Sequence, residues 1–247
     1  MGVCVLAFDT ATERLAVALA TPAGHWLANM QGGAAASAAL LPQATALLKN
    51  AGIGWRALDS VAFGRGPGAF TGLRTACAVA QGLGLALAKP LLAVDSLLIV
   101  AEDARTQAGA GEGFELWVAM DARMDEAYAG AFRYAAGGWQ VLQPAALFTL
   151  PALAERWAAA PPTGVAGSAL AAFGSRLPIG AAAQWPQEHD RAAALLRCAL
   201  ALHAAGAGVD AADALPLYLR DKVALTTAER AVAAAARSGQ PTDALRP

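Results

Sequence analysis

Residues 64–75, GRGPGAFTGLRT, set four glycines, a proline and two arginines ahead of a run of small apolar residues. Such a stretch can bind an anion, because the free N–H groups of a helix start, the helix dipole and the side chains of Arg65 and Arg74 all favour negative charge. The well-known phosphate signatures do not fit it. A Walker loop needs Gly-x-x-x-x-Gly-Lys-Ser/Thr, but five residues before Gly72 stands Pro67, and Leu73 follows it. The dinucleotide fingerprint Gly-x-Gly-x-x-Gly fails at Ala69, where the third glycine belongs. Two readings stay open: an anion site of another form, or glycines that only permit a tight turn of positive φ.

Two carboxylates recur in one setting. Asp9 ends the β-rich run VCVLAF and Asp121 ends ELWVAM, and each is followed by a turn and a second β-rich run. The repeat points to an internal duplication. Asp9 can also serve its own turn, DTAT, by accepting backbone N–H bonds. The other reactive side chains are sparse. His25, His189 and His203 are too far apart to form a His-x-x-x-His metal pair. His25, beside Trp26, reads as a turn residue and His203 as lying late in an alanine-rich helix. Cys4, Cys77 and Cys198 are odd in number and set among apolar residues, which excludes a disulfide framework or a zinc knuckle and predicts buried thiols. Ser37, Ser60, Ser96, Ser168 and Ser175 stand in no Gly-x-Ser-x-Gly elbow, so a serine protease is not supported.

The elements that must position these groups follow from pattern. VCVLAF, RLAVALA and HWLANMQ predict a meander of three strands. Ser37 is a candidate cap for a helix reaching Asn50, with Leu40, Leu41, Ala44, Leu47 and Leu48 on one stripe and Pro42 in its early turns. SVAFG predicts a strand before the glycine loop and residues 71–88 a helix after it. In that helix Gly72, Ala76, Ala80, Gly84 and Ala88 form a flat strip beside a ridge of Thr75, Val79, Leu83 and Leu87. Small strips let another backbone approach closely, either within the chain or from a neighbour. LLAV then reads as a strand and Asp95 as the cap of the next helix. TQAGAGEG is a natural boundary, after which come the Asp121 unit, a helix after Thr149, the strand TGVAG, a short helix, a helix over 191–205 and the run PLYLRD. Thr226 with Glu229 can cap a last helix in the alanine-rich tail.

The chain has 247 residues, enough for one large domain or two small ones. Hydrophobic residues make up 57% and charged ones 15%, as in a globular protein with a large core, and the net charge of −1 gives no basic footprint for nucleic acid on its own. The longest apolar run, 76–88, falls short of the ~20 residues of a membrane span. The opening MGVCVLAFDT has no positively charged n-region, which predicts a cytoplasmic protein without membrane association.

The segments VLAFDTATERLAVAL, LLPQATALLKNAG, AFGRGPGAFTGLRTA, MDARMDEAYAGAF and PLYLRDKVA, in this order from residue 5 to about residue 224, closely resemble the TsaB (YeaZ) family. Its signature falls here on Gly64, Arg65, Gly66, Pro67, Gly68, Phe70, Thr71 and Arg74, whereas Ala36 and Ala69 depart from its usual His and Ser. The resemblance implies an α/β, actin-like ATPase (ASKHA, ribonuclease H-like) fold of two related domains, each a mixed sheet with helices. These would span 1–106 and 107–224, the last helix packing back on the first domain, with a partly disordered tail over 225–247. It implies a scaffold without catalytic centre, metal or cofactor. That scaffold belongs to the complex moving a threonylcarbamoyl group onto N6 of adenosine 37 in tRNAs that read codons starting with A. Its partners would be the catalytic paralogue TsaD and the ATPase TsaE, with tRNA reached only through the complex. The first two long helices would pair with TsaD, or with a second copy when TsaD is missing. Here that surface would comprise Leu40, Leu41, Ala44, Leu47, Leu48, Gly72, Thr75, Ala76, Val79, Ala80 and Leu83. The actin-like fold also places Asp9 and Asp121 where related proteins face a metal, which leaves a free-standing ASKHA-type phosphotransferase or ATPase as the alternative.

Overall fold

Alternating apolar residues in the first three runs pair as expected of a meander. In the computed structural model, which describes residues 2–220, β1 (Val5–Asp9) lies antiparallel to β2 (Arg14–Thr21), and β2 antiparallel to β3 (Gly24–Gln31). After α1 (Ala36–Asn50), β4 (Ser60–Gly66) adds parallel to β1. After α2 (Phe70–Leu87), β5 (Leu91–Asp95) adds parallel to β4. The first sheet therefore runs β3-β2-β1-β4-β5. α3 (Ser96–Gln107) follows, started by Asp95, whose carboxylate accepts the Leu97 N–H at 2.9 Å.

The second half repeats this order. β6 (Glu115–Asp121), β7 (Glu126–Ala135) and β8 (Gly138–Thr149) form an antiparallel meander. β9 (Gly164–Ala166) joins parallel to β6 and β10 (Ala183–Trp185) parallel to β9, separated by α4 (Leu150–Ala159) and α5 (Ala169–Phe173). The order β8-β7-β6-β9-β10 matches the first sheet strand for strand. α6 (Arg191–Ala204) closes the repeat.

Side-chain size decides which helices cover which face. Leu6, Phe8, Leu15, Val17 and Phe63 point from the first sheet toward α1 and α2. The opposite face is lined by Ala7, Ala16, Ala18, Ala20 and Ala62, and there α6 packs closely through Ala192, Leu195, Leu196 and Ala199. α3 crosses the other way, placing Leu97, Val100, Ala101 and Ala104 on Leu116, Val118 and Phe132 of the second sheet. Each half thus lends its third helix to the other, and the two helices pack together between the sheets.

Several expectations are corrected. α1 grows out of a 3-10 turn over Gly33–Ala35, so Ser37 already lies inside the helix. The capping position is Ala35, with no side-chain bond. His25 is not in a turn but in β3, opposite Ala20. β8 and β10 were not anticipated. The helix proposed from Thr226 lies outside the described residues. Among the described residues no helix is long and apolar enough to cross a membrane.

Candidate functional site

The glycine loop packs on the turn after β1, and the chain's own backbone fills the space between them. Ala69 N–H donates to the Ala11 carbonyl at 2.8 Å, and Thr10 Oγ1 donates to the Gly72 carbonyl at 2.6 Å. A Cβ on Gly72 would sit 1.9 Å from the Thr10 carbonyl oxygen, and one on Gly64 would sit 2.4 Å from the Asp9 carboxylate. These glycines permit close approach, of peptide to peptide at Gly72 and of the Asp9 carboxylate to the backbone at Gly64. Of the two readings of the loop, the geometry supports packing of its glycines against residues 9–11, while Pro67, Gly68, Ala69 and Phe70 also border an open cleft.

Asp9 is fully buried. Its Oδ1 accepts the Ala11 N–H, as expected for the DTAT turn, and its Oδ2 meets Arg191 Nη2 at 2.7 Å and Ser96 Oγ at 3.5 Å. Arg191, also fully buried, donates its other terminal nitrogen to Glu188. Burial opposes its charge, but the two carboxylates outweigh this and hold its pKa above the ordinary arginine value. The guanidinium takes up the Asp9 oxygen that the turn leaves free. Asp9, held by the Ala11 N–H and by Arg191, does not fit a metal–nucleotide. Among the described residues, no cluster of three His, Cys, Asp or Glu side chains can hold a metal ion.

Asp121, the counterpart of Asp9, keeps a side chain 18% exposed and accepts the Arg123 N–H at 2.8 Å. Its turn contains three consecutive left-handed residues, Arg123, Met124 and Asp125, with φ of 65°, 57° and 56°. Each costs on the order of 1–2 kcal/mol for a residue with a Cβ. The turn is fastened by Glu126 N–H to the Arg123 carbonyl, by Arg176 on Asp125, and by Arg220 on the Ala122 carbonyl and Glu126.

Between the two turns lies a cleft of about 780 Å³, with Ala11–Arg14 and the glycine loop on one wall and Met120–Met124 and Ser168 on the other. Its lining carries arginines 14, 123, 191 and 220 against Glu13, Asp121 and Glu188. Arg123 pairs with Glu13 at 3.6 Å and with Asp121 at 3.3 Å, linking the walls. Leu217, Tyr218, Leu219 and Arg220 also line it. Pattern reasoning missed Arg191, Glu188, Tyr218 and Arg220. Only PLYLRD was singled out, and without a role.

The signature residues divide by contact. Gly64, Gly66 and Pro67 are buried, and Arg65 and Gly68 partly so. Thr71 and Arg74 are exposed, and the Arg74 guanidinium lies 3.8 Å from the centre of the half-buried Phe70 ring. Of the residues proposed for a partner surface, Leu40, Ala44, Leu47, Leu48, Ala76 and Ala80 are buried in the chain's own core. That leaves these side chains little surface for a partner. Gly72, half-buried, faces the Thr10 carbonyl. Leu41 is 43% exposed, and Thr75, Val79 and Leu83 are half-buried. The open side of α2 adds Ala78, Gly82, Ala86 and Leu85, the last 80% exposed.

Three further reactive groups among the described residues, Ser60, Cys77 and Cys198, are buried. Ser60 Oγ lies 3.0 Å from His203 Nδ1, but Ser60 is fully buried and beyond a substrate's reach. Burial, reinforced by Glu102, pushes the Cys198 thiol up to about 12, and burial also raises Cys77.

The family model described as TsaD, tRNA N6-adenosine threonylcarbamoyltransferase, matches residues 33–238. A Haemophilus influenzae protein named tRNA threonylcarbamoyladenosine biosynthesis protein TsaB is 35% identical over 130 residues, covering 50% of this chain and 51% of that protein. The protein of the same name from Escherichia coli K12 is 35% identical over 127 residues, covering 50% and 52%. The chain thus spans about half the length of the curated relatives it matches. A crystal structure of YeaZ from Pseudomonas aeruginosa is 37% identical, with a TM-score of 0.77 over 88% of this chain and 100% of that one. A second, titled an uncharacterized protein with similarity to peptidase YEAZ from the same organism, superposes with a TM-score of 0.80 at the same identity and coverage. The duplicated mixed sheets, the interlocked glycine loop and these matches lead to one assignment: the chain has the two-domain, actin-like ASKHA fold and belongs to the TsaB (YeaZ) family.

Proposed function

We propose that this chain is a non-catalytic scaffold subunit in the synthesis of threonylcarbamoyladenosine. It pairs with TsaD, supports the binding of TsaE, and acts in the cytoplasm on tRNAs reading codons that start with A. The observation that carries the reading is the Asp9–Arg191 pair: the carboxylate best placed to face a metal is already neutralised by a buried guanidinium. The curated relatives' names supply the pathway. The net charge of −1 favours contact with tRNA only through the complex.

The partner surface is the outer side of α1 and α2, with Leu41, Val79, Leu83 and Leu85 as apolar contacts and Ala78, Gly82 and Ala86 as the small residues that admit a facing helix. A second copy uses the same surface when TsaD is absent. Co-elution with TsaD tests this. Leu41→Asp with Leu85→Asp should leave the thermal melt nearly unchanged, since both side chains are exposed, and abolish co-elution. A folded double variant that still co-elutes would disprove the surface. Dialysis of ATP and Mg²⁺ against the isolated chain tests the ATPase alternative, and tight binding would overturn the scaffold reading.

A further inference from the structure

Residues 214–220 belong to no strand or helix, yet they are fastened at both ends to different halves of the molecule. On the first half, the Ala214 carbonyl accepts from Gln81 Nε2 at 2.9 Å, and Leu217 N–H donates to the Arg65 carbonyl at 2.7 Å. The Tyr218 ring lies 5.2 Å from that of Phe70, and its hydroxyl accepts from Arg74 Nε at 3.2 Å. The glycine loop is shaped for this: a Cβ on Gly66 would sit 2.8 Å from the Leu217 carbonyl oxygen. On the second half, Arg220 Nη2 meets both the Ala122 carbonyl at 2.9 Å and the Glu126 carboxylate at 2.6 Å, and Nη1 reaches the Met124 sulfur at 3.3 Å. Those are residues of the left-handed turn.

We propose that residues 214–220 form a strap that ties the two halves across the cleft and fixes the spacing of its walls, with Arg220 as the positioning residue that holds the 122–126 turn. The signature loop then receives the chain's own C-terminal segment, a role independent of the partner proposed above. The exchanged helices α3 and α6 join the halves through one shared layer, and the exposed Arg123–Glu13 pair is a weak link across the cleft. The strap adds a connection held at both ends of a short segment, which limits how far the walls can separate. Three bonded anchors on the first half and the contacts of Arg220 on the second make it a connection between halves instead of a loop resting on one.

The test is the distance distribution between spin labels at Thr45→Cys on α1 and Glu155→Cys on α4, both exposed positions, in the full chain with Cys4→Ser. Arg220→Ala releases the second-half end. Leu217→Pro with Tyr218→Ala releases two anchors at the first-half end. Each should broaden the distribution, and the triple variant should be no broader than either, because a tether cut at one end is already cut. Hydrogen exchange of the Arg123 and Glu126 amides should speed up at least tenfold in Arg220→Ala while the strands of both sheets stay protected. Arg220→Lys keeps a charge against Glu126 but is shorter and loses the Nη1 contact to Met124, so it should fall between wild type and Arg220→Ala. It also provides the reading if the alanine variant does not fold. An unchanged distribution with both ends released, or broadening that adds from the two ends, would overturn the strap.

Discussion

Asp9 and Asp121 occupy the same position in two copies of one strand order, and they differ in almost everything that follows. Asp9 is sealed beneath the glycine loop and paired with Arg191, which comes from 182 residues downstream. Asp121 is reached by solvent and bonds to Arg123, two residues on. The difference arises from the neighbouring helices. In the first half the 18-residue α2 presses its glycine start onto the β1 turn, and α6 supplies a cation from behind. In the second, the corresponding helix is the 5-residue α5, and the turn protrudes in a strained left-handed form held by the strap. After a duplication, one copy of a site can be closed and the other left open by changing what packs behind the strands, with the strands themselves unchanged.

The strongest way to break this comparison is to unpair the closed copy. Arg191→Leu leaves Asp9 charged and buried without its partner, a change that costs about 3–5 kcal/mol, so the urea midpoint should fall sharply. A second measurement concerns Glu102 on α3, the buried charge of the other exchanged helix. Burial opposes its ionisation, but bonds from Arg105, Arg197 and Trp139 outweigh this and leave its carboxyl below the usual range. Its folded pKa is therefore below the unfolded one. The stabilisation is complete above the unfolded value, about 4.3, and is lost as pH falls through the folded value. Glu102→Gln should be less stable than wild type at pH 7, by roughly 1.5–3 kcal/mol as for a hydrogen bond to a charged group. The gap should close on acidification, and one that is constant with pH would show that the charge is not the cause. The smallest effect belongs to the open copy. Arg123, 76% exposed, is bonded at the surface, and Arg123→Ala should cost less than about 1 kcal/mol. If it cost as much as Arg191→Leu, the two copies would not be differently built.

Much of this was legible from periodicity and caps. The meander of the first half, the helices after Asp95 and Thr149, and the pairing of Asp9 with Asp121 as repeated features all follow from local pattern. β8 did not, because it is an edge strand whose register with β7 shifts near Ala129 and Ala131, and Pro144 interrupts its alternation. β10 has three residues, too few for any period to show. The strip on α2 illustrates a different limit. Spacing correctly grouped Ala76 with Ala80, but a period tells which residues share a face and not what lies opposite it; here that is the chain's own core. Arg191 left no readable signal and Arg220 only its place in PLYLRD, since Asp9 and Glu126, the carboxylates that give them a role, are brought to them by folding.

The exchange of third helices bears on how the molecule is made. While the chain emerges from the ribosome, the first sheet can pair its strands and cover one face with α1 and α2 as soon as residue 95 is out. Its alanine face, Ala16, Ala18 and Ala20 among others, has only Leu98 and Ile99 of α3 beside it until α6, residues 191–204, is synthesised. At roughly 5–20 residues per second, that face waits on the order of 5–20 seconds. A cut at residue 106 would divide the sequence between its repeats, yet give a fragment that lacks one layer of its own core. The nascent first half must therefore be sheltered, or tolerate exposure, until the last described helix arrives to finish it.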